Sequence, residues 1–124
     1  MPTSNLVTEA ELTQTIIGMA RAYGWLVFHD RDSRRSEPGF PDLVAVSQAP
    51  MRPRVLFLEI KTAKGRLTKG RESPRTGRWL PGQEDWIGAL QRCNTLGPAS
   101  EGSRVETYVA RPEHLDELDT LFRS

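Results

Sequence analysis

Nothing constrains this chain more than residues 54–62, RVLFLEIKT. Val55, Leu56, Phe57 and Leu58 follow one another without polar alternation, which predicts a strand buried on both faces at the centre of a sheet. Glu59 interrupts that apolar run and Lys61 follows two places on. Side chains alternate along a strand, so the two charges share a face. They can be read as a solvated strand end protected by a lysine. The apolar run before Glu59 places it where burial is expected, however, and an unpartnered buried carboxylate is expensive. The pair is therefore read as a site.

A second acid stands in a similar position. In GFPDLVAV (residues 39–46) Asp42 opens a short apolar run directly after Pro41. Alone it could be a turn aspartate bonded to local backbone. If the Asp42 strand pairs antiparallel with residues 54–62, the start of one meets the end of the other, bringing Asp42 and Glu59 to one sheet edge. Gly39 and Pro41 would then fix the backbone that aims Asp42.

The remaining elements follow from periodicity and caps. Leu12, Ile16, Met19, Ala20 and Tyr23 recur at helical spacing, with Thr8 as N-cap, Glu9 and Glu11 in the first turn and Gly24 as the stop. WLVFHD (residues 25–30) and RVETYVAR (residues 104–111) read as strands. GQEDWIGALQRCNTLG places Trp86, Ile87, Leu90 and Cys93 on one helical stripe, and Pro112 opens a last helix with Leu115, Leu118 and Phe122 facing inward. Trp25 and Trp86 are expected in the core, and Cys93 as a small buried hydrophobe. The order helix, three strands, helix, strand, helix predicts an α/β fold with a mixed central sheet flanked by helices.

The 124 residues make one domain, 1–124. The single cysteine leaves no intramolecular disulfide framework and no cysteine zinc cluster, which fits a reducing compartment. No run approaches the ~20 apolar residues of a membrane span and the N-terminus is unlike a signal peptide, so a cytoplasmic protein without membrane contact is expected. Net charge is only +1, but residues 52–79 carry nine Lys/Arg against two Asp/Glu. Such a basic stripe attracts a polyanion that the net charge hides.

Two convergent carboxylates are hard oxygen ligands suited to Mg²⁺ or Mn²⁺, with Ile60 offering a backbone carbonyl beside them. A metal held there would polarise a phosphodiester and lower the pKa of a bound water, and Lys61 would steady that water and the developing negative charge.

GFPDLVAV, then LFLEIKTAKGRLT, then GQEDW resemble the PD-(D/E)XK nuclease superfamily; FHDRDSRRSEPGFPDL with KTAKGRLT resembles its VRR-NUC branch. The likeness runs from about Thr8 to Arg111. It implies a restriction-endonuclease-like fold, with Asp42 and Glu59 as metal-binding carboxylates and Lys61 as the motif lysine. Gln83 matches the glutamine of the following helix. Glu9 stands where related nucleases place an assisting glutamate, with Glu11 in the same turn as competitor. The implied activity is Mg²⁺- or Mn²⁺-dependent, structure-selective DNA cleavage, including four-way (Holliday) junction resolution, by a homodimer. In similar sequences the glutamine follows GRLT within a few residues; here residues 69–82 intervene, an expected basic inserted loop, and the whole basic segment 63–82 reads as a long flexible loop or a short irregular hairpin.

His29, Ser33, Arg34, Arg35 and Ser36 are expected on the DNA side, the guanidinium groups clamping phosphates. Lys64, Arg66, Lys69, Arg71, Arg75 and Arg78 are expected backbone contacts. Trp79 is read as a loop anchor packed on the core, with stacking on a base as the alternative. Two other functions fit the same fold: a module that binds branched DNA without cutting it, and a sequence-specific restriction-like endonuclease.

Overall fold

The computed structural model describes residues 7–30, 37–50, 53–96 and 104–123. Helix α1 (Glu9–Ala22) begins as its sequence dictates. Thr8 Oγ1 accepts from the Glu11 N–H at 3.1 Å and the Glu11 carboxylate accepts from the Thr8 N–H at 3.1 Å. This reciprocal box satisfies two donors the helix start leaves open. The chain leaves α1 through Gly24 at φ 86°, a left-handed conformation that glycine adopts without Cβ strain.

Strands β1 (Leu26–His29), β2 (Leu43–Val46) and β3 (Arg54–Ile60) form an antiparallel meander. After β3 a small separate hairpin, β4 (Arg71–Glu72) and β5 (Trp79–Leu80), precedes α2 (Gln83–Leu96). Helix α2 is the crossover to β6 (Arg104–Ala110), which pairs parallel with β3. The four-stranded mixed sheet therefore has the order β1-β2-β3-β6, with β3 inside it. A short 3₁₀ turn (Pro112–His114) leads into α3 (Leu115–Arg123). The expected element order holds, and of the two readings of the basic segment after β3, loop or short hairpin, the hairpin is the one formed.

Alternation along β3 divides the molecule. Leu56, Leu58 and Ile60 face α1 and α3, where they pack with Leu12, Ile16, Ile17, Leu118 and Phe122. Trp25 closes this core: its indole N–H donates to the Phe122 carbonyl at 2.9 Å and its ring meets Phe122 edge-on. Phe57 and Glu59 face the other layer, toward α2, where Phe40 bridges Phe57 and Trp86 by edge-to-face contacts. Among the described residues no helix is long and apolar enough to cross a membrane.

Two expectations fail here, and a third, for Trp86, holds only in part. Cys93 is exposed, not buried. The steps Ile87, Leu90, Cys93 are three residues each, and each falls about 60° short of a full turn, so the stripe has rotated off the buried side by its third member. Trp79 does not anchor on the core but stands 57% exposed on the hairpin. Trp86, expected in the core, is half-buried against Phe40 and donates its indole N–H to the Pro38 carbonyl at 2.9 Å.

Candidate functional site

The register of β2 and β3 sets Leu43 opposite Leu58, so the next pair outward is Asp42 and Glu59. Asp42 Oδ2 accepts from the Ile60 N–H at 2.8 Å, which fixes the aspartate against the end of the central strand. Pro41 before it is buried, and Gly39 two places earlier takes φ +81°. A Cβ on Gly39 would come within 2.5 Å of the Gly82 carbonyl carbon. The glycine is thus required twice, by its backbone angle and by the chain that crosses it.

Glu59 is 1% exposed. Its Oε2 accepts from Gln83 Nε2 at 2.8 Å, whereas the buried Oε1 has no partner. The carboxyl is pushed up to about 9: burial contributes most, then Asp42, by its charge and by hydrogen bonding to the protonated acid, while Lys61 opposes the shift and Glu9 adds a little to it. Lys61, 8% exposed, lies one residue beyond β3 on the Glu59 side of the chain. Glu9 thus reaches this site electrostatically, while Glu11 is engaged in the α1 cap.

A second buried acid, Glu106, shows what a structural carboxylate looks like in the same sheet. It is 3% exposed, but Arg54 grips both its oxygens, at 2.6 and 2.8 Å, and the Tyr108 hydroxyl also donates to it. Glu59 lacks such a clamp.

Gln83 is positioned by Thr68. The Thr68 N–H donates to Gln83 Oε1 at 2.9 Å, Thr68 Oγ1 accepts from the Gln83 N–H at 3.0 Å, and the Thr68 carbonyl accepts from the Glu84 N–H at 3.0 Å. The inserted residues 69–82 loop out and return, so that Thr68 and Gln83 touch. Gln83 stays beside Glu59 despite its separation from GRLT in the sequence.

A cleft of about 240 Å³ opens at this edge, lined by Asp30, Glu37, Gly39, Phe40, Asp42, Thr68 and Gln83. Asp30 was not singled out from the sequence; its N–H donates to the Asp42 carbonyl at 3.0 Å, extending the β1–β2 ladder by one pair. Arg111 was also missed. Its Nη1 donates to the Thr62 and Gly65 carbonyls at 2.8 and 2.7 Å, holding the turn that follows Lys61. No local motif marks a residue that far along the chain as part of this loop. A larger cleft of about 500 Å³ lies between α2 and α3 along β6, but without paired carboxylates.

The other expected contacts divide. Lys64, Arg66, Lys69, Arg71, Arg75 and Arg78 are all exposed. His29 pairs with Leu43, on the face opposite Asp42 and Glu59, and its Nδ1 is buried without a partner. Ser33, Arg34, Arg35 and Ser36 lie outside the described residues.

Among the described residues no three His, Cys, Asp or Glu side chains group tightly enough to form a complete cation cage. The chemistry of the donor set still suits a hard divalent ion. Mg²⁺ commonly takes one or two carboxylates and fills its remaining positions with water or phosphate, and the orphaned, buried Oε1 of Glu59 beside Asp42 is a carboxylate oxygen with a vacant role. No family model, curated protein or solved structure matches the chain.

Proposed function

We propose that the chain is a Mg²⁺- or Mn²⁺-dependent DNA endonuclease of the PD-(D/E)XK type, of the VRR-NUC kind, with a restriction-endonuclease-like fold. One observation carries the reading: Glu59, buried and lacking a partner for Oε1, converges with Asp42, Lys61 and Gln83 at the end of the central strand. A fold gains nothing from burying a carboxylate with one oxygen unpartnered beside a second acid. A metal site does.

In this reading Asp42, Glu59 and the Ile60 carbonyl would hold the ion. When bound, it supplies charge to polarise a phosphodiester and to acidify a water. Gln83 keeps the Glu59 carboxylate oriented through its amide N–H. The Lys61 ammonium steadies the attacking water and the negative charge gathering on the phosphate oxygens. Exposed cations of residues 64–78 hold the flanking phosphates. Glu9 assists from the start of α1.

The substrate we infer is branched DNA, cut by a homodimer whose two-fold axis relates paired incisions. Leu26, Phe28 and Val46 lie together on one face of β1 and β2 and are all exposed, which offers a second copy an apolar surface to cover. Sedimentation of the free protein and of its DNA complex tests this; a monomer in both removes the dimer.

The function is tested with labelled flap, fork, four-way-junction and linear substrates in Mg²⁺, Mn²⁺ or EDTA. Metal-dependent cutting, absent from Asp42→Ala and Lys61→Ala, is the expected result. Cleavage that survives both substitutions overturns the site, and binding without cleavage in either metal favours a branched-DNA-binding module. Cutting of linear duplex at one fixed sequence points instead to a restriction-like enzyme.

A further inference from the structure

We infer that the inserted hairpin is a stacking site for an unpaired nucleobase, with Trp79 as its platform. The inference rests on the nuclease reading for its biological setting, but on the hairpin alone for its geometry. It narrows the substrate to DNA with a single-stranded segment beside the cut.

The hairpin is built to present this ring. Glu72 pairs with Trp79 and Arg71 with Leu80, so the indole rises from one face of a two-stranded ribbon. On that face its diagonal neighbour is Gly70. A Cβ there would come within 2.3 Å of Trp79 Cζ2 and 2.4 Å of Asp85 Oδ2. Only glycine lets the indole settle against the base of the hairpin, and the ring still leaves the residue 57% exposed. The base in turn is fixed to the candidate active site. Asp85 Oδ2 accepts from the Gly82 N–H at 2.8 Å, and Thr68 and Gln83 close the loop beside Glu59.

The surroundings decide what the ring is for. An isolated exposed tryptophan can equally anchor a protein partner. From Lys64 to Gly82, however, the segment has six Lys/Arg and a single acid, Glu72, and all six cations are exposed. An aromatic face within a cluster of free cations complements a chain that alternates phosphates with flat π-surfaces, which is a nucleic acid. Bases inside a duplex are already stacked and show no face to a side chain. The partner is therefore a base in a single-stranded stretch or at an opened branch point.

The test measures binding in EDTA, where no cutting intervenes. The probes are a fork with single-stranded arms, a single-stranded oligonucleotide and a blunt duplex, used with wild type, Trp79→Ala, Trp79→Phe and Gly70→Ala. Trp79→Ala should weaken binding to the fork and the single strand by about 5- to 150-fold, the ~1–3 kcal/mol of one base–aromatic stack. It should leave the duplex nearly unchanged. Trp79→Phe should recover most of the loss, and Gly70→Ala should mimic it by dislodging the ring. Equal loss on all three probes, or none, overturns the stacking site. Selective loss in a protein that cuts nothing in Mg²⁺ or Mn²⁺ retains the platform and removes the nuclease. Asp42-dependent cutting with binding indifferent to Trp79 does the reverse, and a wild type that binds none of the probes removes both.

Discussion

Gln83 Nε2 donates to Glu59 Oε2 at 2.8 Å, and the other oxygen of that buried carboxyl, Oε1, has no partner. Half-satisfaction is the informative state. Glu106 is nearly as buried, yet both its oxygens are held by Arg54, so it reads as a structural ion pair. Breaking that pair by Glu106→Ala should cost about 3–5 kcal/mol, because Arg54 would lose the carboxylate that compensates its charge. Urea denaturation checks it. A loss under about 1 kcal/mol would mean that solvent already screens the pair.

Removing the Glu59 charge should act in the opposite direction. Its carboxyl is raised from an ordinary 4.5 to about 9 by burial and by Asp42. A raised pKa means that the folded state holds the proton more tightly than the unfolded state. This contribution is complete below about 4.5 and is lost as pH climbs toward 9. Glu59→Gln, which cannot ionise, should therefore be more stable than wild type in EDTA, by a margin that grows between pH 5 and 9. Thermal melts across that range decide it, and a flat difference would rule out the proposed protonation.

Cation binding inherits the same proton. An ion coordinated by Asp42 and Glu59 must displace it, so affinity should rise roughly tenfold per pH unit below 9. Calorimetric titration of Mn²⁺ at pH 6, 7 and 8, in buffers of different ionisation enthalpy, should show about one proton released per ion. Affinity that is independent of pH, with no proton release, would place the ion elsewhere. In Asp42→Asn the Ile60 N–H keeps an acceptor, while one carboxylate ligand is gone and Glu59 stays raised by burial alone. That variant should bind Mn²⁺ weakly at every pH.

Gly39→Ala and Gly82→Ala should disable the site without touching a carboxylate. An added Cβ at Gly39 would lie 2.5 Å from the Gly82 backbone, and one at Gly82 would lie 2.3 Å from the Lys69 backbone. Backbone cannot move aside as a flexible side chain does, so the crossing must open and carry Gln83 away from Glu59. Each change should cost on the order of 1–3 kcal/mol. Loss of Mn²⁺ affinity should exceed what the reduced folded fraction explains; proportional loss would confine the effect to stability.

What the sequence revealed follows the reach of each interaction. The α1 cap, the central β3 strand and the meeting of Asp42 with Glu59 were legible because local spacing and strand pairing dictate them. The Thr68–Gln83 closure was not: the fourteen intervening residues read as a flexible loop or a short irregular hairpin, and nothing local says that Gly39 and Gly82 let backbones cross while Gly70 makes room for Trp79 and Asp85. Cys93 misled because a three-residue repeat drifts around a helix. Glu106 carries the same sequence signal as Glu59, an acid in a largely apolar strand. Only the partner supplied by Arg54, 52 residues away, separates their roles.

Arg111 supplies the sharpest test of how Lys61 is held. One of its nitrogens, Nη1, donates to the carbonyls of both Thr62 and Gly65, and Gly65 in turn sits so near the Lys61 stem that a Cβ would lie 3.3 Å from Cδ. Cutting this tie by Arg111→Met frees the turn that positions the ammonium. If the chain cleaves DNA as proposed, kcat should fall by about 100-fold, the scale of an ångström-sized misplacement, while KM changes little. Arg111→Lys should recover only part of the rate, because a single ammonium cannot reproduce the guanidinium geometry. A residue gripping phosphate would behave differently. Its loss would raise KM and reduce the salt dependence of DNA binding by about one unit of slope. An unchanged kcat with that altered slope would reassign Arg111 from positioning Lys61 to holding the substrate.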